Sequence, residues 1–242
     1  MRILKKHERA RKMATNKSAG ERRANISPSD LTFSWDGCHR CLWLYYNHQI
    51  KAPMFMPTVA ELADMQETYF KGCTTADMHP EMPEGTVHSH AGWVQSIPIQ
   101  VDGKDSHLAI RGKYDLLIEF PDGTYGIVDC KMQARTSDKS AFYSPQLEAY
   151  AYALENPAKG EPKKISALGI YSWSLDKAWG NVRAGFGYRV HANWYPVERN
   201  PIALQDRLVE FVKMVNGDVP DSKQSCDQCR YIGDRDVILR AL

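Results

Sequence analysis

The chain has 242 residues, of which 43% are hydrophobic and 25% are charged, and its formal net charge is +2. These proportions are typical of a globular protein, and no apolar run approaches the ~20 residues that a membrane-spanning helix needs. We therefore expect one large domain with a sizeable core. A cytoplasmic location is predicted because no secretory signal is visible.

The small net charge conceals an uneven distribution. Residues 1–25 contain nine lysines and arginines against two glutamates, which leaves 22 basic and 27 acidic residues in the rest of the chain. We interpret residues 1–26 as a basic, flexible arm and residues 27–242 as a single domain. Such an arm is attracted to phosphates, although a solvated tail or an organellar transit peptide has a similar composition.

The domain is predicted to begin with a short helix or turn at residues 27–30. Residues 31–50 then carry a Cys-x-x-Cys pair, Cys38 and Cys41, followed by an aromatic run that is typical of core packing around such a pair. A helix is predicted over 59–71, after a threonine that supplies its N-cap.

Residues 73–92 are rich in Pro, Gly, Met and His and are predicted to form a loop. This loop and the helix before it contain acidic and histidine side chains that are eligible to complete a metal site. The candidates are Glu61, Glu67 and His88. Their spacing selects none of the three, since each is also compatible with a solvent-facing position.

Three strands are predicted over 93–101, 108–120 and 124–131, because strand-forming residues there are separated by turn signals. A helix is then predicted to start at Pro145, with Ser144 as its N-cap. The predicted helix therefore follows the third strand after a connection of about 13 residues.

The C-terminal part adds two strands and a helix. The strands are predicted over 165–173 and 186–195, and the stretch 174–185, which has few core residues, joins them. An amphipathic helix is predicted over 201–215. Together these elements predict an α/β fold in which helices flank a mixed central β-sheet.

The most informative residues are two carboxylates and a lysine on consecutive predicted strands. Asp115 lies within the second strand, and Asp129 and Lys131 end the third strand after an apolar run. Alternate side chains of a strand share a face, so Asp129 and Lys131 point one way and Cys130 points the other. Such a set is the minimum for metal-dependent hydrolysis of a phosphodiester. A structural ion pair is the alternative interpretation.

Asp129 and Lys131 form one of four acidic-x-Lys triplets in the chain. The other three begin at Asp102, Glu161 and Asp221 and lie beside Gly, Pro or Ser in predicted turns. Charged residues in turns are usually solvated, and only the triplet at Asp129 is delivered to the end of a buried strand.

Four of the six cysteines form two Cys-x-x-Cys pairs. The pairs are Cys38/Cys41 and Cys226/Cys229. Two thiolate pairs can complete a four-sulfur shell around one metal ion or cluster, so the N- and C-terminal segments are predicted to meet there. The spacing alone favours structural Zn²⁺, and redox disulfides are the alternative. Cys73 and Cys130 are predicted to be ordinary buried or partly buried thiols.

Three motifs in the order found here resemble those of a known family. They are Gly112-x-x-Asp115, Asp129-x-Lys131 and Gln146-x-x-x-Tyr150, the last with both residues on one helical face. This set resembles the PD-(D/E)XK nuclease superfamily, and most of all its RecB-like branch, which includes the iron–sulfur exonucleases associated with CRISPR systems. The resemblance covers about residues 29–231 and implies a restriction-endonuclease-like core.

The resemblance also implies roles for individual residues. Asp115, Asp129 and the backbone carbonyl of Cys130 are expected to hold one or two Mg²⁺ or Mn²⁺ ions, which prefer oxygen ligands. Lys131 is expected to orient the attacking water and to stabilise the charge on the phosphate. Gln146 is expected to position Lys131 or the phosphate, and Tyr150 to contact the nucleic-acid backbone or stack on a base.

For the four cysteines, the resemblance implies a [4Fe–4S] cluster. The commonest arrangement in the family is one N-terminal and three C-terminal cysteines, whereas this chain has two and two. Structural Zn²⁺ therefore remains open as the alternative.

The predicted function is that of a divalent-metal-dependent DNA nuclease. We expect an exonuclease on single-stranded ends that acts in DNA repair, recombination or mobile-element processing, with DNA and a helicase or other recombination protein as partners. The alternative is a non-cleaving nucleic-acid-binding or recruitment module with a structural four-cysteine site. A redox-sensing iron–sulfur protein would leave the carboxylates unexplained. The polarity of digestion, the choice between DNA and RNA, endonuclease activity and the oligomeric state stay open.

Overall fold

A mixed six-stranded β-sheet lies at the centre of the computed structural model, which describes residues 22–51 and 57–241. The strands are β1 (Asn25–Ile26), β2 (Thr86–Val101), β3 (Lys104–Glu119), β4 (Tyr125–Gln133), β5 (Ile165–Asn181) and β6 (Gly185–Val197). Their order is β1-β3-β4-β5-β6, and β2 also pairs with β3. The β1–β3 and β4–β5 pairs are parallel, and the other pairs are antiparallel. The predicted mixed sheet is therefore confirmed.

The described residues also form five helices. They are α1 (His39–His48), α2 (Pro57–Tyr69), α3 (Ser140–Glu155), α4 (Pro201–Asn216) and α5 (Asp227–Ala241), with 3-10 turns at Pro28–Leu31 and Thr75–Asp77. Of these, α2 and α3 pack against the sheet, as the α/β prediction requires. Among the described helices, none combines the length and apolar character needed to cross a membrane.

The described residues divide into two compact units. The first contains residues 22–23, 38–51 and 214–241, and therefore α1 and α5. The second contains residues 24–37 and 57–213, and therefore the whole sheet with α2 and α3. Of the predicted arm, residues 1–21 lie outside the described residues, whereas Asn25–Ile26 form β1 beside β3.

An apolar cluster covers one face of the sheet. Its buried members are Phe70, Met78, Met82, Val87, Leu116, Ile118, Val128, Cys130 and Tyr171. Because Cys130 belongs to this cluster, its side chain points away from the face that carries Asp129 and Lys131. Helix α3 lies on that opposite face, where Gln146 reaches Asp129.

Helix α3 begins earlier than its sequence pattern predicts. It starts at Ser140 rather than at Pro145, so Pro145 lies inside the helix. The side chain of Asp138 accepts a hydrogen bond from the backbone N–H of Ser140 at 2.8 Å, which satisfies a donor of the first turn. The predicted N-cap at Ser144 was therefore wrong, because the helix starts at Ser140 and Asp138 accepts a backbone N–H of its first turn.

Two stretches that were predicted to lie outside strands contain more strand than expected. The loop over 73–92 ends at residue 85, because β2 begins at Thr86 and includes His88. The stretch 174–185 is not a loop, since β5 continues to Asn181 and pairs with β6 as a long hairpin. Residues 175–181 are all exposed, so they lack the alternation of buried and exposed residues by which a strand is recognised.

Candidate functional site

The site lies where β3 and β4 stop pairing. Their antiparallel register runs from Glu119↔Tyr125 to Leu116↔Val128. Beyond this last pair, the backbone N–H of Cys130 donates a hydrogen bond to the side chain of Asp115, at 2.7 Å from Oδ2. A carboxylate thus replaces the next backbone acceptor of the β-ladder. The two strands separate here as a fork, and Asp115 and Asp129 lie where it opens.

Asp129 is the most deeply buried carboxylate of the site, with 2% of its surface exposed. Its Oδ1 accepts a hydrogen bond from Gln146 Nε2 at 2.9 Å. Its Oδ2 lies 2.5 Å from Lys131 Nζ, so the two groups form a buried ion pair.

Lys131 is held charged by its surroundings. Burial opposes its charge, but Asp129 and Asp115 outweigh this effect and raise the pKa of the ammonium group above its ordinary value. The Nζ atom also lies 4.9 Å from the centre of the Tyr143 ring, a distance at which a cation is attracted to the ring face. Tyr143 was not predicted, although it lies three residues before Gln146 on the same helical face.

The carboxylates repel one another. Burial, and after it the charge of Asp129, raises the pKa of Asp115 well above its ordinary value, while Lys131 acts in the opposite direction. Glu67 contributes a further negative charge to Asp115. Burial also raises the pKa of Glu67 itself. Three carboxylates beside two lysines, Lys131 at Asp129 and Lys113 at Glu67, therefore leave an excess of negative charge, which a divalent cation would neutralise.

Of the three candidates from the helix and loop, the structure brings only Glu67 to this cluster. Glu67 is 7% exposed and its Oε2 lies 3.4 Å from Lys113 Nζ. Glu61 is exposed, because six residues correspond to a rotation of about 240° around the same helix. His88 pairs with Glu119 instead, at 2.9 Å.

The sequence held a signal for Glu67. Phe70, three residues later, belongs to the apolar cluster, and residues three apart share a helical face. The pattern of α2 therefore carries Glu67 on its buried side. His90 also contributes, because its charge lowers the pKa of Glu67.

Tyr150 ties helix α3 to β3. Its hydroxyl donates a hydrogen bond to the backbone carbonyl of Lys113 at 2.8 Å, and 7% of the residue is exposed. Burial, followed by the charges of Asp129 and Asp115, raises its pKa, so the hydroxyl keeps its proton. A ring this buried leaves no face for a nucleic-acid base, and the geometry thus contradicts the expected stacking role.

The four cysteines come together in the first unit, as predicted for the N- and C-terminal segments. All four sulfur atoms lie within 4.8 Å of one another. The shortest distances are 3.4 Å from Cys41 to Cys229, 3.7 Å from Cys41 to Cys226 and 3.8 Å from Cys38 to Cys229. In a tetrahedron with metal–sulfur bonds of about 2.3 Å the sulfur atoms lie about 3.8 Å apart, so these distances fit a single ion.

Backbone groups prepare one of these thiols for metal binding. Burial raises the pKa of Cys38, but hydrogen bonds from the backbone of Cys41 and Lys223 and from neighbouring thiols outweigh it and lower the pKa to about 7. Other contacts join the two segments: Arg40 Nε donates to the carbonyl of Pro220 at 2.8 Å. Thiolates are the form that binds metal.

Comparisons with known proteins give one family match. A family model described as the PD-(D/E)XK nuclease superfamily matches residues 66–233, which is more than half of the chain. No curated protein matches. A solved structure titled "Crystal structure of SSO0001" is similar with a TM-score of 0.46 and 14% identity, over 89% of this chain and 87% of that chain. Similarity at this level says nothing about activity.

Proposed function

Because the chain belongs to the PD-(D/E)XK nuclease superfamily, whose members are generally metal-dependent nucleases, we propose that it hydrolyses phosphodiester bonds in DNA. The more specific proposal is an exonuclease of the RecB-like branch that acts on single-stranded ends, in repair, recombination or mobile-element processing, together with a helicase or other recombination protein. The observation that carries the proposal is the cluster of Asp115, Asp129 and Lys131, with Glu67 close enough to raise the pKa of Asp115.

Oxygen atoms of this cluster fit a hard divalent cation. We propose that Asp115, Asp129 and the backbone carbonyl of Cys130 hold Mg²⁺ or Mn²⁺, with Glu67 as a further carboxylate. The three carboxylates, which outnumber the ammonium groups of Lys131 and Lys113 beside them, support this assignment. When bound, the ion would lower the pKa of a water molecule and neutralise charge on the scissile phosphate.

The remaining residues of the site would position the reactants. Lys131 stays protonated because of the two aspartates, so its ammonium group can orient the attacking water and donate a hydrogen bond to a phosphate oxygen. Gln146 Nε2 donates a hydrogen bond to Asp129 Oδ1, and this bond fixes the direction of the other carboxylate oxygen of Asp129. Tyr150 would act as a positioning residue that holds β3 against α3.

The first test is metal-dependent cleavage of end-labelled single-stranded and duplex DNA. Asp129→Asn should reduce the rate by at least about a hundredfold, because it removes a charged ligand while keeping the shape of the side chain. The matched control is Asp102→Asn, in the exposed triplet Asp102-Gly103-Lys104, where the aspartate has a φ of 52° that asparagine also tolerates.

Each outcome of this experiment is decisive. Cleavage that needs Mg²⁺ or Mn²⁺, survives Asp102→Asn and disappears in Asp129→Asn supports the nuclease, and the product ladder then reports its polarity. Full activity of Asp129→Asn would overturn the assignment of the site. Tight binding without cleavage by the unaltered protein would instead support a nucleic-acid-binding module.

For the four cysteines we propose one metal centre. The sulfur distances support a single tetrahedral ion such as Zn²⁺, whereas the motifs of the chain imply a [4Fe–4S] cluster. Elemental analysis of protein purified without oxygen distinguishes the two, since a cluster requires about four iron atoms per chain and a zinc site requires one zinc ion.

A further inference from the structure

The hairpin formed by β5 and β6 continues beyond the rest of the sheet. Gln133, the last residue of β4, pairs with Ser174 of β5. From Leu175 onward, among the described residues, β5 pairs with β6 alone, up to the pair Asn181↔Gly185. We call residues 175–191 the outer hairpin.

Large aromatic side chains are exposed on the outer hairpin. Trp179 is 57% exposed, Phe186 is 76% exposed and Tyr188 is 72% exposed. A hairpin that only has to be solvated is expected to carry polar residues at such positions, because exposed apolar patches favour association. Phe186 and Tyr188 alternate with Gly187, the partner of Trp179, so they lie on the opposite face from Trp179. Each face of the outer hairpin therefore offers exposed aromatic surface for binding.

The charge of the outer hairpin is positive. It contains Lys177, Arg183 and Arg189 against a single acidic residue, Asp176. Arg189 and Asp176 form an ion pair across the two strands. The rest of the chain after residue 25 is acidic overall, so this hairpin is a local basic element that complements a phosphate backbone.

Trp179 lies across the backbone of the opposite strand. A Cβ atom placed on Gly187 would lie 3.0 Å from Trp179 Nε1 and 3.1 Å from Cε2. Gly187 is the register partner of Trp179, so the absence of a side chain there gives the indole a flat support. More than half of the residue remains exposed, which leaves ring surface available for stacking.

The alternation of β6 relates Trp179 to the catalytic face. Lys131 pairs with Ser172, and Ser172 pairs with Asn193. Residues 193, 191, 189 and 187 of β6 share one face, so the partners of Arg189 and Gly187, which are Lys177 and Trp179, lie on the face that carries Lys131. The six-residue step along β6 from Gly187 to Asn193 spans about 20 Å. This length corresponds to about six nucleotides at the spacing of B-form DNA.

We propose that the outer hairpin binds single-stranded DNA that leads to the active site, with Trp179 stacking on a base and Lys177 facing the phosphates. Aromatic platforms beside basic residues bind single strands without sequence preference, because every base has a π-face. The bases of a duplex are already stacked on each other and offer no such face. The inference rests on the proposed nuclease function, whose substrate it specifies.

The test is a binding titration of labelled oligodeoxythymidine and of a blunt duplex, by fluorescence anisotropy, with Asp129→Asn protein so that cleavage does not interfere. Adding Trp179→Thr should raise the Kd for the single strand by between about fivefold and a hundredfold and change the duplex Kd much less. Threonine keeps the strand propensity of the site. Trp179→Phe, which retains an aromatic ring, should restore most of the affinity.

Val182→Thr is the matched control, because Val182 is 90% exposed in the same hairpin and offers no ring. Lys177→Gln is a second variant that leaves the aromatic residues in place. It should reduce the dependence of log Kd on log salt concentration by about one unit of slope or slightly less. It decides the question if Trp179→Thr fails to fold.

Unchanged single-strand affinity in folded Trp179→Thr protein would overturn the inference, and so would an equal loss for single strand and duplex. The experiments distinguish a failure of this inference from a failure of the proposed function. If Asp129→Asn abolishes cleavage and Trp179→Thr binds normally, the nuclease stands and the hairpin role falls. If Asp129→Asn still cleaves while Trp179→Thr loses single strands, the catalytic assignment falls and the binding surface stands.

Discussion

At the scale of single residues, Asp115 combines a structural contact with an electrostatic cost. It accepts the backbone N–H of Cys130, yet burial and the charge of Asp129 raise its pKa well above the ordinary value. A carboxylate with a raised pKa contributes most to stability below its unfolded pKa of about 3.9, and this contribution is lost as the pH rises toward the folded value. At neutral pH, without metal, the charge of Asp115 therefore destabilises the fold.

Asp115→Asn should consequently stabilise the metal-free protein. We expect a gain of about 1 kcal/mol in the free energy of unfolding, a common size for a single stabilising substitution. Thermal unfolding in EDTA measures it as a rise in Tm of about 2–4 °C. Mn²⁺ should raise the Tm of the unaltered protein through binding to the folded state and should have less effect on the variant.

Asp122→Asn is the control for this prediction. Thr124 donates its backbone N–H and its hydroxyl to the Asp122 carboxylate and lowers the pKa of that group. Its charge therefore favours the folded state at neutral pH, so the same substitution should not raise the Tm in EDTA. A lower Tm for Asp115→Asn in EDTA would contradict the repulsion between the carboxylates.

The sequence predicted part of the site, and the reason lies in how each residue is placed. Asp115, Asp129 and Lys131 lie on neighbouring strands, where a period of two fixes the face of every side chain. Glu67 comes from a helix whose position over the fork is a tertiary property. Spacing alone therefore could not separate it from Glu61.

At the scale of secondary-structure elements, Gly112 determines how closely α3 approaches β3. A Cβ atom at this position would lie 2.7 Å from Pro28 Cδ and 3.0 Å from Tyr150 Cε1. The missing side chain thus allows the Tyr150 hydroxyl to reach the carbonyl of Lys113. This contact gives a physical reason for the glycine in the Gly112-x-x-Asp115 motif.

Gly112→Ala should therefore destabilise the protein by about 1–3 kcal/mol, the usual cost of overpacking a core. Chemical denaturation measures this change as a lower midpoint with an unchanged slope. The same substitution at Gly233, where an added Cβ meets nothing within 4 Å, should be neutral or stabilising by up to about 1 kcal/mol, because alanine favours a helix. Equal effects at both positions would argue against steric contact as the cause.

Arg199 links the end of β6 to α3. Its Nε atom donates to Glu148 at 3.0 Å and its Nη1 atom to Glu155 at 3.1 Å, and Glu148 is 2% exposed. Removing the arginine leaves a buried carboxylate without its partner, which typically costs about 3–5 kcal/mol. We therefore expect Arg199→Met to lower the stability by this amount in urea denaturation.

The double variant Arg199→Met/Glu148→Gln tests the cause of that loss. Neutralising Glu148 removes the uncompensated charge, so the double variant should recover a large part of the stability. If it is as unstable as Arg199→Met alone, the loss arises from packing of the arginine stem rather than from its charge.

Elements were predictable from the sequence where they bury one face. Helix α4 spans 201–216 against a prediction of 201–215, because its apolar residues repeat with the helical period. The outer part of β5, residues 174–181, was missed because its stability comes from pairing with β6, not from a buried face. The early start of α3 was missed because Pro145 is a stronger signal for a first turn than Asp138.

At the scale of the whole molecule, the four cysteines fix the first unit. Cys226→Ser should remove bound metal and lower the Tm, because binding energy at a structural metal site is folding energy. Elemental analysis and thermal unfolding measure both effects. Cys73→Ser is the control, since Cys73 packs against the apolar cluster of the second unit and its thiol donates to the backbone carbonyl of Tyr69. Retention of metal by Cys226→Ser would contradict a four-thiolate site.

The two cysteine pairs also set an order of events during synthesis. Cys226 follows Cys41 by 185 residues, so at about 5–20 residues per second a ribosome needs roughly 10 to 40 seconds to supply the second pair. During this interval the strands of the sheet are synthesised, whereas Cys38 and Cys41 have no second pair to join. Completion of the four-cysteine site is thus a late step in synthesis, and oxidation of Cys38 and Cys41 before that step would prevent it.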